Sequence, residues 1–143
     1  MTITQLSVFV ENKQGRLAAI VDLLAQNKIN MRALSIADTA DFGILRIIVD
    51  DTEKAISVLS EAGITVRRTK VIGVVIDDVP GGLSKILTTL SNGGTVIEYM
   101  YAFVGKDHEK AITIIRPDNL DSALEVLKNN AINVVTEEDV KEL

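Results

Sequence analysis

Residues 5–71 of this 143-residue chain are followed by a second copy of the same pattern over residues 72–136. The run Ala55-Ile56-Ser57-Val58-Leu59 returns as Ala123-Leu124-Glu125-Val126-Leu127, an offset of 68 residues. Each run closes on Ile-x-Val, at Ile64-Thr65-Val66 and at Ile132-Asn133-Val134. Nearer the start, Gly15-Arg16-Leu17 and Ile20 return as Gly81-Gly82-Leu83 and Ile86, an offset of 66 residues. The second copy therefore carries two extra residues between these anchors. A repeat of this length is too long for one unit of a helical or bladed solenoid. It is long enough to form a small domain with its own core. The sequence thus predicts two domains, at 1–70 and 71–143. Duplicated domains tend to pack as a pseudo-two-fold pair with matching clefts.

Hydrophobic periodicity gives the elements of each copy. Leu6, Val8 and Val10 alternate with Ser7 and Phe9, as in a strand. Leu17, Ile20, Val21 and Leu24 recur at helical spacing. Strands over Ile29–Ile36 and Ile44–Val49 follow, then a helix capped within Asp50-Asp51-Thr52 and stopped at Gly63, then a strand over Ile64–Thr69. The second copy repeats the order with strands at Val71–Ile76, Val96–Val104, Ala111–Arg116 and Ile132–Val135, and helices at Leu83–Ser91 and Asn119–Asn129. Its two extra residues fall in the hairpin tip Gly105–Glu109, which holds the single histidine, His108. Thr136 and Asp139 have the spacing of a reciprocal cap on a short C-terminal helix. The order β-α-β-β-α-β is that of an α+β, ferredoxin-like domain: a four-stranded antiparallel sheet, strand order 4-1-3-2, with both helices on one face. The stretch Val66–Val71 contains no Gly, Pro or Ser, so the copies are expected to be held closely, and exchange of a strand between them is compatible with the pattern. Both faces of several strands are apolar. Phe9, Ile44, Ile48, Val75 and Ile115 are expected on the uncovered face, as tolerated surface residues or as a self-association surface.

Composition excludes several classes of function. The formal net charge is −5 and the only adjacent basic pair is Arg67-Arg68. Such a chain repels phosphate backbones, and its 3% aromatic content offers no base-stacking platform, so no nucleic-acid partner is expected. No apolar run reaches the roughly 20 residues that span a bilayer, and no signal peptide is evident, so no membrane partner is expected and a cytoplasmic location is. Cysteine is absent, which removes thiolate metal ligands and thiol nucleophiles. A lone histidine supplies no metal or general-base constellation, and no phosphate-binding or nucleophile motif occurs. The sequence therefore implies no catalytic residue, metal or cofactor.

The informative positions are the first strand–helix loops. They read Glu11-Asn12-Lys13-Gln14-Gly15-Arg16-Leu17 and Asp77-Asp78-Val79-Pro80-Gly81-Gly82-Leu83. Glycine lets backbone pass close to a ligand, and a helix N-terminus presents N–H groups suited to a carboxylate. Asn12 or Asp78 suits an ammonium group. Together these features match a zwitterionic amino acid, although local physics is also satisfied by a capped helix start.

These residues resemble those of an ACT domain, a ferredoxin-like regulatory module that often binds amino acids. The resemblance lies in Asn12-x-x-Gly15-x-Leu17 at the first junction and Ile29-Asn30 opening the second strand, and it spans nearly the whole chain as a tandem pair. The first copy is particularly similar to the serine-binding regulatory ACT domain of phosphoglycerate dehydrogenase. The resemblance implies ligand contact by Asn12 and, from a neighbouring domain, by Asn30. The second copy has Asp78 and Val96 at those places. Gln14 stands where the family has proline, which Pro80 keeps. On this basis the copies are expected to pair through their second strands into one eight-stranded antiparallel sheet, with helices on one face. A small amino acid is expected between the loop Asp77, Asp78, Gly81, Gly82, Leu83 and Asn30, and less favourably at the loop of Asn12, Gly15 and Leu17. Met31, Ile97, Tyr99 and Tyr101 are read either as pocket walls or as core of the second strands. The function implied is a non-catalytic amino-acid sensor or regulatory subunit, a homodimer acting on a separate enzyme. An oligomerisation or adaptor module with empty clefts is the alternative.

Overall fold

The computed structural model describes residues 1–38, 41–103 and 110–142. The hairpin tip at Gly105–Glu109, with His108, lies outside the described residues, as do Thr39, Ala40, Val104 and Leu143. The chain divides into two compact units, Thr4–Thr69 and Met1–Ile3 with Lys70–Leu143.

The unit Thr4–Thr69 contains β1 (Ile3–Glu11, of which Ile3 sorts with the other unit), α1 (Arg16–Gln26), β2 (Met31–Asp38), β3 (Phe42–Val49), α2 (Thr52–Glu61) and the start of β4 (Val66–Asp77). Its strand order is β2-β3-β1-β4, and β3 is antiparallel to both β1 and β2. Leu6, Val8 and Val10 of β1 and Leu45, Ile47 and Val49 of β3 face Ile20 and Leu24 of α1 and Ala55 and Leu59 of α2 in one core. Each fully buried Leu or Ile there contributes roughly 1.5–3 kcal/mol. This is the periodicity of Leu17, Ile20 and Leu24 expressed in three dimensions, except that Leu17 is left 37% exposed at the mouth of the first loop.

The other unit takes the rest of β4, α3 (Gly82–Asn92), β5 (Ile97–Ala102), β6 (Lys110–Pro117), α4 (Leu120–Asn129), β7 (Val134–Val135) and α5 (Glu137–Glu142). Here β4 pairs with β6 and β7, and β5 pairs with β6, all antiparallel. Ile72, Val74 and Ile115 face Ile86 and Leu90 of α3 and Ala123 and Leu127 of α4. The reciprocal cap on α5 forms: Thr136 N–H donates to Asp139 Oδ2 at 2.8 Å, and Asp139 N–H donates to Thr136 Oγ1 at 3.2 Å.

Three expectations are corrected. Among the described residues the strands number seven, not eight, because the last strand of the first copy and the first of the second are one continuous strand, Val66–Asp77. No Gly or Pro interrupts it until Gly73, so nothing breaks the extended backbone at the junction. Among the described residues β2 is paired with β3 and β5 with β6, so each second strand is the edge of its own unit's sheet. Second, Ile115 belongs to the helix-side core, because its register partner Ile72 faces the helices. Third, Ile48 is only 1% exposed. Phe9, Ile44 and Val75 are half-buried, with Arg67 lying over the Phe9 ring at 5.6 Å. The five residues do not form an exposed apolar patch.

Met31 packs against the first core, and Ile97 and Met100 against the second. Tyr99 and Tyr101 stack at 6.5 Å. By strand alternation they lie on the sheet face opposite Met100.

Candidate functional site

The four long helices start in two ways. Asp51 caps α2 by accepting from Lys54 N–H at 3.1 Å, and Asn119 caps α4 by accepting from Ser122 N–H at 3.0 Å. The helices that follow the two candidate loops have no side-chain cap; α1 starts from Gly15 at φ 83° and α3 from Gly81 at φ 87°. That left-handed conformation costs an L-residue about 1–2 kcal/mol, which accounts for glycine at both places. Both loops are built alike. Lys13 N–H donates to Glu11 O at 2.8 Å and Arg16 N–H to Lys13 O at 3.2 Å; Val79 N–H donates to Asp77 O at 2.9 Å and Gly82 N–H to Val79 O at 3.0 Å. The N–H groups that begin α1 and α3 are thus left without the side-chain acceptor that α2 and α4 possess.

The loops differ in what surrounds them. The first borders a pocket of ≈ 170 Å³. Asn12, Lys13 and Asp38 stand around it, and Leu17, Ile36 and Leu45 line it. Leu45 is buried at 2% exposure, whereas Ile36 on the β2 edge is 48% exposed. Glu11 holds Lys13 at 3.3 Å and Arg16 at 3.6 Å, so the basic groups of this loop are kept near its mouth. Both ion pairs are exposed and contribute little to stability. A larger groove of ≈ 660 Å³ runs past Phe9, Ile20, Phe42 and Ile64. It offers the Glu11–Arg16 pair but not Asn12.

The second loop closes by the same two backbone turns as the first. Gly82 is required there because a Cβ would lie 2.2 Å from Asp77 O. The Gly82 N–H expected to receive a ligand carboxylate already donates to Val79 O, as the Arg16 N–H of the first loop does to Lys13 O. Asp77, Asp78, Gly81 and Leu83 are exposed.

Asn30 is exposed at the start of β2, where its backbone exchanges bonds with Asp50: Asn30 N–H to Asp50 Oδ1 at 3.0 Å and Asp50 N–H to Asn30 O at 3.1 Å. Val96 and Asp118 reproduce this tie at 3.1 and 2.9 Å. Within its own unit Asn30 is not brought to the loop of Asn12. Register sets Met31 against Val49 at one end of the sheet, and Glu11 against Phe42 at the other. The residue that sequence reasoning missed is Gly43, which lines the pocket from within β3. It was legible only as a glycine after a turn.

Among the described residues no group of three or more side chains is arranged to hold a metal, and no helix is long and apolar enough to cross a membrane.

The family model of the ACT domain pair matches residues 1–143. The chain belongs to the ACT domain pair family. This ACT pair is 43% identical to protein BT0572 from Bacteroides thetaiotaomicron, over 100% of this chain and 98% of that one, with a TM-score of 0.93. It shares its fold with the ligand-free regulatory subunit of aspartate kinase from Thermus thermophilus, at 16% identity, 88% and 90% coverage and a TM-score of 0.61. The regulatory subunit of aspartate kinase from Thermus flavus is similar at 16% identity, the same coverage and a TM-score of 0.58. No curated protein matches this ACT pair.

Proposed function

We propose that this ACT pair is a non-catalytic regulatory protein that binds a small amino acid at the first loop and acts on a separate enzyme. The observation that carries the reading is the contrast in helix starts: α1 and α3 begin uncapped from a left-handed glycine, while α2 and α4 carry side-chain caps. A carboxylate supplies what the uncapped N-terminus lacks. The first loop is favoured over the second because a pocket adjoins it, with Lys13 for a carboxylate and Asp38 for an ammonium group. The likeness of the first copy to a serine-binding regulatory domain rests on Asn12, Gly15, Leu17 and Asn30.

The same reading gives Asn30 a place. The β2 edge carries Leu34 and Ile36 at 45% and 48% exposure beside the pocket. Exposed apolar edge strands are templates for pairing. In a homodimer whose β2 strands pair antiparallel about Leu34, Asn30 of one protomer falls opposite Asp38 of its partner, next to that partner's Asn12. A thermal-shift panel of amino acids tests the function. A ligand at one hundred times its Kd stabilises by about 2.7 kcal/mol, a shift of several degrees. A panel with no shift at millimolar concentration refutes ligand binding and leaves the adaptor module.

A further inference from the structure

We infer that Gly43 sets the specificity of the first pocket, and that the pocket takes an amino acid with a short, branched aliphatic side chain. The inference rests on the amino-acid reading above and adds the class of side chain.

Gly43 is buried as the second residue of β3, in register between Val10 and Asp38. Glycine inside a strand is less stable than alanine, so its presence calls for a cause. The two usual causes do not apply. Its φ is not positive, unlike those of Gly15, Gly63, Gly81 and Gly94. Nor would a side chain collide with anything: a Cβ would lie 3.6 Å from Asp38 Oδ1 and 3.9 Å from Ile36 Cγ2, ordinary contact distances. What the missing side chain does is leave space between Asp38 and Ile36, in the pocket itself. Strand glycines often mark a bulge, a bend or the close approach of a ligand or another backbone, and the pairing of β3 shows no bulge at Gly43.

The second copy supports the assignment by register. Val10 pairs with Gly43, and its counterpart Ile76 pairs with Ala111. Leu45 pairs with Val8 and Ile36, and its counterpart Thr113 pairs with Val74 and Ala102. Only the first copy therefore combines an open floor with bulky aliphatic walls.

The shape and chemistry of the space define the occupant. With Asn12, Lys13 and Asp38 holding the charged end, the ligand's side chain lies over Gly43 among Leu17, Ile36 and Leu45. At ≈ 170 Å³ the space is small, below the roughly 300 Å³ at which pockets for drug-sized ligands begin, and suits a short side chain. A methyl group gained in such a pocket is worth about tenfold or more in affinity.

Calorimetric titration with glycine, alanine, serine, valine, isoleucine and phenylalanine, on the native chain, Gly43→Ala and Gly43→Val, tests this. The native chain should bind valine or isoleucine at least about tenfold more tightly than alanine or serine. Gly43→Val should abolish that preference while its thermal midpoint is unchanged or raised, because a β-branched residue suits a strand. Binding led by serine or phenylalanine, or a preference that survives Gly43→Val, overturns the inference and leaves amino-acid binding standing. Absence of binding by every amino acid to the native chain overturns both.

Discussion

Replacing Gly93 by alanine tests how closely α3 and α4 are packed. Gly93 ends α3 at φ −83° and ψ 2°, a conformation open to alanine, so backbone strain plays no part. The added Cβ would lie 2.5 Å from Val126 Cγ2 and 2.8 Å from Cγ1. Rotation of Val126 does not relieve the contact, because its own Cβ is 3.3 Å away. The two helices must therefore separate by some tenths of an ångström. Overpacking of this kind costs about 1–3 kcal/mol. Alanine returns about 0.4–1 kcal/mol by restricting the unfolded chain. The net expectation is a loss of about 1–2 kcal/mol, read in urea as a lower midpoint with an unchanged slope. The Gly93→Ala, Val126→Ala double variant should be more stable than the sum of the single effects implies, since each change accommodates the other. A Gly93→Ala protein as stable as the native one, or strict additivity in the double variant, would refute the packing argument.

Ala131 sits at φ 54° where the first copy has Gly63 at φ 77°. Ala131→Gly should gain about 0.5–1 kcal/mol by denaturant titration, because the left-handed penalty of about 1–2 kcal/mol outweighs the added freedom of the unfolded chain. Asp139 has its carboxyl held below the usual range, first by the Thr136 backbone N–H and then by the Thr136 hydroxyl. A depressed folded value means that this cap is present above the ordinary carboxylate range and is lost as pH falls through the folded value. The protection factor of the Val140 amide in α5, taken against its intrinsic exchange rate, should therefore fall in acid, and Asp139→Asn should remove most of that pH dependence.

The βαββαβ order was legible because its evidence is local. Leu17, Ile20 and Leu24, then Ala55 and Leu59, repeat at helical spacing, and Ile20, Leu24, Ala55 and Leu59 meet one sheet face. The glycines of both loops were legible for the same reason, since Gly15 and Gly81 take the left-handed conformation that the position demands. What pairing decides was not legible. Ile114 and Ile115 are adjacent and equally apolar, and only the register with Gly73 and Ile72 says which one faces the helices. The continuity of Val66–Asp77 follows from what is missing there, a turn residue, which is a weaker signal than a residue that is present. Gly43 was hidden because its role depends on Asp38 and Ile36 across the strand pair, not on its neighbours in sequence.

The proposed amino-acid site takes Asn12 from one protomer and Asn30 from its partner. Asn12→Ala and Asn30→Ala should each weaken binding roughly ten- to a hundred-fold, the value of a hydrogen bond to a charged group. The decisive measurement is calorimetry on the two variants after they are unfolded and refolded together. A mixed dimer then has one loop with Asn12 intact facing an intact Asn30, so tight sites should reappear at a fraction of native stoichiometry. If the mixture binds no better than either variant alone, or if neither substitution weakens binding, the shared site is contradicted.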